Sequence, residues 1–226
     1  MPYRIPRSPQ LALTVGLIWT LVFHGCLVWA AGPRTQERQA KVRVEVPIEA
    51  VRADDGDTFS IEWGPEDREI VRILGIDTPE TMHPEHNIPY DQPFGREAAA
   101  FAKGAFAVAS KIELLRADTK DPYGRTLGYV FLNGRNYSVM IVEAGLAAES
   151  VSRYGDNGFP DEASKVIVAA RQSGPLPFEN PHDYRQRMRA VSESQSRKKV
   201  KDTPAPESAN PSARKPKGQA EGENRN

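Results

Sequence analysis

The sequence predicts an α+β fold: a small closed barrel of about five strands with about three helices, carrying an extension at each end. Three observations point there. Apolar alternation and turn signals recur between Val42 and Leu132, alanine-rich helical patterning interrupts them, and composition shifts sharply near both termini. The 226 residues suit one domain plus extensions, and a hydrophobic fraction of 39% implies that part of the chain does not pack. The expected boundaries are 1–32 for a signal peptide or membrane anchor, 33–41 for a linker, 42–184 for the folded domain, and 185–226 for a disordered basic and polar tail.

The first extension is apolar from Leu11 to Ala31, preceded by Arg4 and Arg7. Its length matches a membrane anchor of about 20 residues, whereas Val28-Trp29-Ala30 followed by Gly32-Pro33 resembles a cleavage site. Anchor and cleaved signal both stay open, and either implies export, to the periplasm or the cell exterior. Cys26, the only cysteine, lies in this run, so the domain has neither a disulfide framework nor a zinc-cysteine cluster. A metal in the domain would be held mainly by oxygen.

Within the domain, Val42, Val44, Val46, Ile48 and Val51 read as one alternating strand. Strands at Thr58–Trp63 and Glu69–Ile76 flank the turn Gly64-Pro65-Glu66-Asp67, which makes a hairpin. Phe94–Ser110 reads as a helix and Lys111–Leu115 as a strand, and Gly128–Leu132 ends at the hairpin signal Asn133-Gly134. Further helices are expected over Tyr137–Ala144, stopped by Gly145, and Asp161–Gln172, stopped near Gly174-Pro175.

The chemistry concentrates in Asp55-Gly56-Asp57-Thr58 and Ile76-Asp77-Thr78-Pro79-Glu80, with Arg72 between them and Arg125 farther along. Hard carboxylate oxygens suit a divalent cation, another carboxylate suits water activation, and guanidinium forks suit a phosphate. Asp55 reads equally as a turn former and is left out of the metal set. His83 and His86 lie in the Pro- and Asn-containing stretch 82–93, which reads as a mobile surface loop. His182 carries no metal-site pattern.

These residues give the segment from about Val51 to Gly174 its resemblance to the staphylococcal nuclease (thermonuclease) family. The resemblance rests on Asp55-Gly56-Asp57-Thr58, on Arg72 five residues before Asp77, on Asp77-Thr78-Pro79-Glu80-Thr81, and on Tyr123-Gly124-Arg125, with Glu143–Ala147 adding a weaker match. It implies a five-stranded OB-fold β-barrel. It further implies that Asp57, Asp77 and the carbonyl of Thr78 hold Ca²⁺, and that Glu80, Arg72 and Arg125 are catalytic. Tyr123 would bind substrate, which would be DNA and/or RNA cut at the bond to the 5′ oxygen to leave 3′-phosphates. Pro122 stands where the best-known member of the family has a lysine, which leaves base contacts open. Two alternatives remain beside the nuclease: an inactive barrel that only binds nucleic acid or protein, and an interaction protein anchored by residues 11–31.

Charge is unevenly distributed. Arg43–Tyr184 holds 24 acidic and 14 basic side chains, and Arg185–Asn226 holds 11 basic and 5 acidic. The basic stretch is read either as an electrostatic tether for nucleic acid or as a solubilising tail.

Overall fold

The computed structural model describes residues 34–202. The apolar run 11–31 and residues 203–226 lie outside them, so the signal or anchor reading falls on undescribed sequence. Among the described residues no helix is long and apolar enough to cross a membrane.

The strands are β1 (Arg34–Thr35), β2 (Arg43–Val46), β3 (Val51–Ala53), β4 (Thr58–Gly64), β5 (Asp67–Ile73), β6 (Ile76–Asp77), β7 (Ile112–Lys120), β8 (Thr126–Leu132), β9 (Arg135–Asn136) and β10 (Ala148–Glu149). The helices are α1 (Gly95–Ala107), α2 (Tyr137–Glu143), α3 (Val151–Tyr154), α4 (Pro160–Ser173) and α5 (Pro181–Asp202). Eight strands form one mixed sheet with the path β1-β7-β8-β5-β4-β3, where β2 also pairs with β7 and β9 with β8. The β5–β8 pair is parallel, and the other pairs are antiparallel.

The fold is α+β as expected, but the sheet is not a closed five-stranded barrel. The predicted continuous strand from Val42 to Val51 is broken, because Pro47 has no N–H to donate and a 3₁₀ turn at Ile48–Ala50 follows it. The chain therefore leaves β7 as β2 and reaches β4 as β3, with no pairing between β2 and β3. A flat path from β2 to β3 would span roughly 24 Å at ~4.8 Å per strand. The five steps from Val46 to Val51 reach at most roughly 18 Å. The sheet must curl toward closure, and its hydrogen-bonded ring is left open at Pro47–Ala50.

The curled sheet encloses Phe59, Ile61, Val71, Leu114 and Val130, all fully buried, while Phe131 is buried on its other face. Burying a side chain of this kind contributes about 1.5–3 kcal/mol each. α1 covers one opening with Ala98, Ala102 and Phe106, and α2 adds Tyr137 and Ile141. Asn136 caps α2 by accepting from the Ser138 N–H at 2.9 Å.

Two other expectations need correction. Arg34–Thr35, placed in a linker, adds an edge strand to β7. The stretch from Arg185, read as disordered, continues as α5 to Asp202. Asn180 accepts from the His182 N–H at 3.0 Å and Pro181 opens the helix, which is a sound N-terminus. Tyr184, Met188 and Val191 recur at helical spacing and pack with Ile88 in a small cluster separate from the main core.

Candidate active site

Local geometry brings the two acidic runs together. The β4–β5 register sets Thr58 opposite Arg72, so Arg72 sits one residue from Asp57 across the hairpin. The β6–β10 pairing fixes Asp77 opposite Ala148. Gly56 is required where the Asp55–Asp57 turn meets Thr78, since a Cβ there would lie 2.7 Å from the threonine methyl. Gly95 serves the same purpose at the start of α1, where a Cβ would lie 2.4 Å from the Glu80 carbonyl oxygen. The core supports these loops directly. The Tyr137 hydroxyl donates to the Gly56 carbonyl at 2.9 Å, and the Ser138 hydroxyl donates to the Leu74 carbonyl at 2.8 Å.

Asp57 and Asp77 are 7% and 4% exposed and are bridged by Arg72. One Arg72 terminal nitrogen pairs with Asp57 Oδ1, and the other donates to Asp77 Oδ1 at 2.9 Å. The Thr78 amide and hydroxyl both donate to Asp57 Oδ2, at 2.9 and 3.0 Å. Burial pulls the Arg72 guanidinium below its ordinary value; Asp77 opposes this, and nearby Arg125 adds to it. Asp55 takes the turn role: its Oδ1 accepts from the Asp57 and Thr58 amides at 3.0 and 2.7 Å. Burial pushes the Asp55 carboxyl up, against the pull of Arg72.

Glu80 follows three residues after Asp77, its amide donating to Gln92 Oε1 at 3.1 Å. Its carboxylate accepts from Arg185, and so does that of Asp77. Arg185 Nη1 and Nη2 reach Asp77 Oδ1 and Oδ2 at 2.9 and 2.7 Å, and Nη1 also reaches Glu80 Oε1 at 2.5 Å. Burial alone would lower the Arg185 guanidinium, but its two carboxylate partners hold it above its ordinary value.

Arg125 is placed by Asp121, whose Oδ1 accepts from the Tyr123 and Arg125 amides at 3.0 and 2.8 Å and whose Oδ2 accepts from Arg125 Nε at 2.7 Å. Arg125 does not touch Asp57, Asp77 or Glu80 in the hydrogen-bond network, yet lies near enough to Arg72 to affect its protonation. Tyr123 is 80% exposed beside Arg125, with 5.6 Å from guanidinium carbon to ring centre. His83 bonds Thr81 and Glu85, and His182 bonds Gln186, rather than any site carboxylate. The loop that carries His83 is tied to α5 through buried Ile88, where a mobile surface loop was expected.

Sequence reasoning missed Arg185, Asp121 and Gln92. The spacing of Tyr184, Met188 and Val191 was the available signal for the helix that carries Arg185. For Asp121 it was an aspartate placed to open the Tyr123-Gly124-Arg125 turn.

The donors fit a hard cation in kind, being buried carboxylate oxygens whose charge is met at present by guanidinium groups. Among the described residues no three His, Cys, Asp or Glu side chains form a ready metal cluster. A cation would thus rest on Asp57 and Asp77, with backbone, water or substrate oxygen completing its shell.

Carboxylates that can hold a cation, set beside guanidinium groups that can hold an anion, define a class of site suited to phosphate esters. Residues 70–174 match the family model described as Staphylococcal nuclease homologue. It is 42% identical over 97 residues to the thermonuclease of Staphylococcus intermedius, covering 42% of this chain and 55% of that protein. The thermonuclease of Staphylococcus hyicus is 36% identical over 104 residues, 46% of this chain and 59% of that protein. Endonuclease YncB of Bacillus subtilis (strain 168) is 33% identical over 118 residues, 52% of this chain and 53% of that protein. The chain thus spans a little over half the length of these relatives.

Proposed function

We propose that this protein is an exported, Ca²⁺-dependent nuclease that hydrolyses phosphodiester bonds of DNA and/or RNA, breaking the bond to the 5′ oxygen and leaving 3′-phosphates. The observation that carries the reading is the Asp57–Arg72–Asp77 bridge with Glu80 three residues on, inside a domain whose relatives are named thermonuclease and endonuclease. Export is inferred from the apolar run that follows Arg4 and Arg7.

Asp57, Asp77 and the Thr78 carbonyl would hold the cation, which when bound supplies positive charge against the phosphoryl oxygens. Glu80 orients a water and accepts its proton as the water oxygen bonds to phosphorus. The P–O5′ bond breaks, and the departing oxygen takes a proton from solvent. Arg72 and Arg125 meet the charge that grows on the phosphoryl oxygens, and Asp121 positions Arg125 for this. Tyr123 offers an exposed ring on which a base can stack.

Degradation of DNA and of RNA by the purified protein, with Ca²⁺ against excess chelator, tests the reading. Cleavage that needs Ca²⁺ and yields phosphatase-sensitive 3′ ends is the expected result. Absence of cleavage on both substrates, or cleavage that persists in chelator, would overturn it.

A further inference from the structure

Arg185 stands where the proposed chemistry needs free carboxylates. Each carboxylate oxygen has two lone pairs, and Asp77 Oδ1 already accepts from Arg72 and Arg185 while Oδ2 accepts from Arg185. The same guanidinium holds Glu80, the group assigned to the attacking water. A divalent cation on Asp77 would compete for these lone pairs and repel the adjacent guanidinium.

We propose that α5 is an autoinhibitory latch, in which Arg185 substitutes for the divalent cation on Asp77, so that cation binding and docking of this helix exclude each other. The inference rests on the reading of Asp57 and Asp77 as cation ligands. The construction of α5 suits a latch. It docks through Tyr184, Met188 and Val191 on Ile88, a cluster apart from the main core, so it can leave without opening that core. Apart from Arg185 and an Arg187–Glu179 ion pair at its base, its polar ties run to the 87–92 segment: the Tyr184 hydroxyl donates to the Tyr90 carbonyl at 2.9 Å, Ser192 donates to Asn87 at 3.1 Å, and Gln195 donates to the Tyr90 hydroxyl at 3.1 Å. Gln92 joins latch and site, since its Nε2 donates to the Glu179 carbonyl at 2.6 Å while its Oε1 accepts from the Glu80 amide. Once α5 is released, Glu80 loses its guanidinium partner and Asp77 keeps only Arg72, on Oδ1.

A closed latch lowers apparent cation affinity by the fraction of molecules in which it is open. The test is calorimetric titration of the full chain with Ca²⁺ in the absence of nucleic acid, for the unaltered protein, Arg185→Gln and Met188→Ala. Met188→Ala loosens the helix without changing any charge. Both substitutions should tighten Ca²⁺ binding by about tenfold, and Ca²⁺ should speed amide exchange over residues 181–197 of the unaltered protein. Equal affinity in all three proteins would overturn the latch and leave the cation reading standing. Tightening in Arg185→Gln alone would overturn it in favour of a local charge effect. Ca²⁺ that leaves exchange in α5 unchanged would also overturn it, and no Ca²⁺ binding by any of the three would remove the cation reading and the latch together.

Discussion

Two arginine–carboxylate pairs in this molecule share chemistry and differ in mounting. Arg116 and Glu69 have side chains only 3% and 4% exposed, joined by two bonds of 2.8 Å; Thr126 and Trp63 also donate to Glu69 at 2.8 Å. Their partners come from β4, β5, β7 and β8, neighbours in one sheet. Arg185 and Asp77 make an equally good two-pronged pair, but the arginine arrives on a separate helix, 108 residues away in sequence, with its side chain 23% exposed. Bond geometry does not distinguish the two. The first pair cannot part without opening the sheet, whereas the second can part when one helix lifts, and only the second touches groups assigned to chemistry.

The largest effect expected is on the sheet pair. Arg116→Ala leaves the Glu69 charge buried without its main partner and should cost about 3–5 kcal/mol. Arg185→Gln should cost about 1 kcal/mol or less, because Asp77 keeps Arg72. Denaturant unfolding of both variants checks the contrast, and equal losses would erase it.

Next in size is the proposed phosphate clamp. Arg72→Lys keeps the charge but cannot bridge Asp57 and Asp77 with a planar fork. It should lower kcat/KM on the order of 10²-fold with little change in Tm. Arg125→Lys should act in the same direction, while losing its Nε bond to Asp121. Kinetics beside melting curves read both effects, and a near-normal rate in either variant removes that arginine from the clamp.

Acid provides a finer probe of the sheet pair. Burial would push the Glu69 carboxyl up, but hydrogen bonds from Arg116, Thr126 and Trp63 outweigh it and hold the group below its ordinary range. Arg38 also faces it, at 3.4 Å. With its folded value depressed, Glu69 contributes stability that is fully present above its unfolded value of about 4.3. That contribution fades as pH falls through the folded value. The Tm of the unaltered protein should therefore drop more steeply below pH 4 than that of Glu69→Gln, and parallel curves would refute the linkage.

The smallest effect concerns the basic stretch. Of its charges, seven basic and two acidic side chains lie within 185–202, so most of the basic excess belongs to α5 rather than to the residues beyond it. Truncation after Tyr184 would remove the tether and the latch together. Replacing Arg197, Lys198, Lys199 and Lys201 by Gln leaves Arg185 in place. It should raise KM for long DNA at low salt a few-fold and flatten its salt dependence, since each phosphate contact contributes about 0.9 to the slope. An unchanged slope favours the solubilising role.

What was legible in the chain was local. The Pro65-Glu66 turn and the alternation around it specify the β4–β5 hairpin, and through its register they place Arg72 beside Asp57. α2 carries its own cap at Asn136, α4 opens on Pro160 and stops at Gly174, and both fall within a residue or so of expectation. One miss was local and the others were decided at long range. Pro47 interrupts a strand that alternation alone would continue, and the hydrogen-bonded ring stays open there. α5 offers few large apolar residues in a polar stretch, and its order comes from Ile88, far away in sequence. Arg185 belonged to no local pattern; the fold alone carries it to Asp77.

The central claim is that Glu80 handles the attacking water while Asp57 and Asp77 hold the cation. Single-turnover cleavage of a short DNA by Glu80→Gln, with Ca²⁺ affinity measured on the same preparation, tests it most directly. The account predicts a rate lower by about 10²–10⁴-fold with Ca²⁺ binding retained. An unchanged rate, or a loss of Ca²⁺ binding as large as in Asp77→Ala, would contradict it.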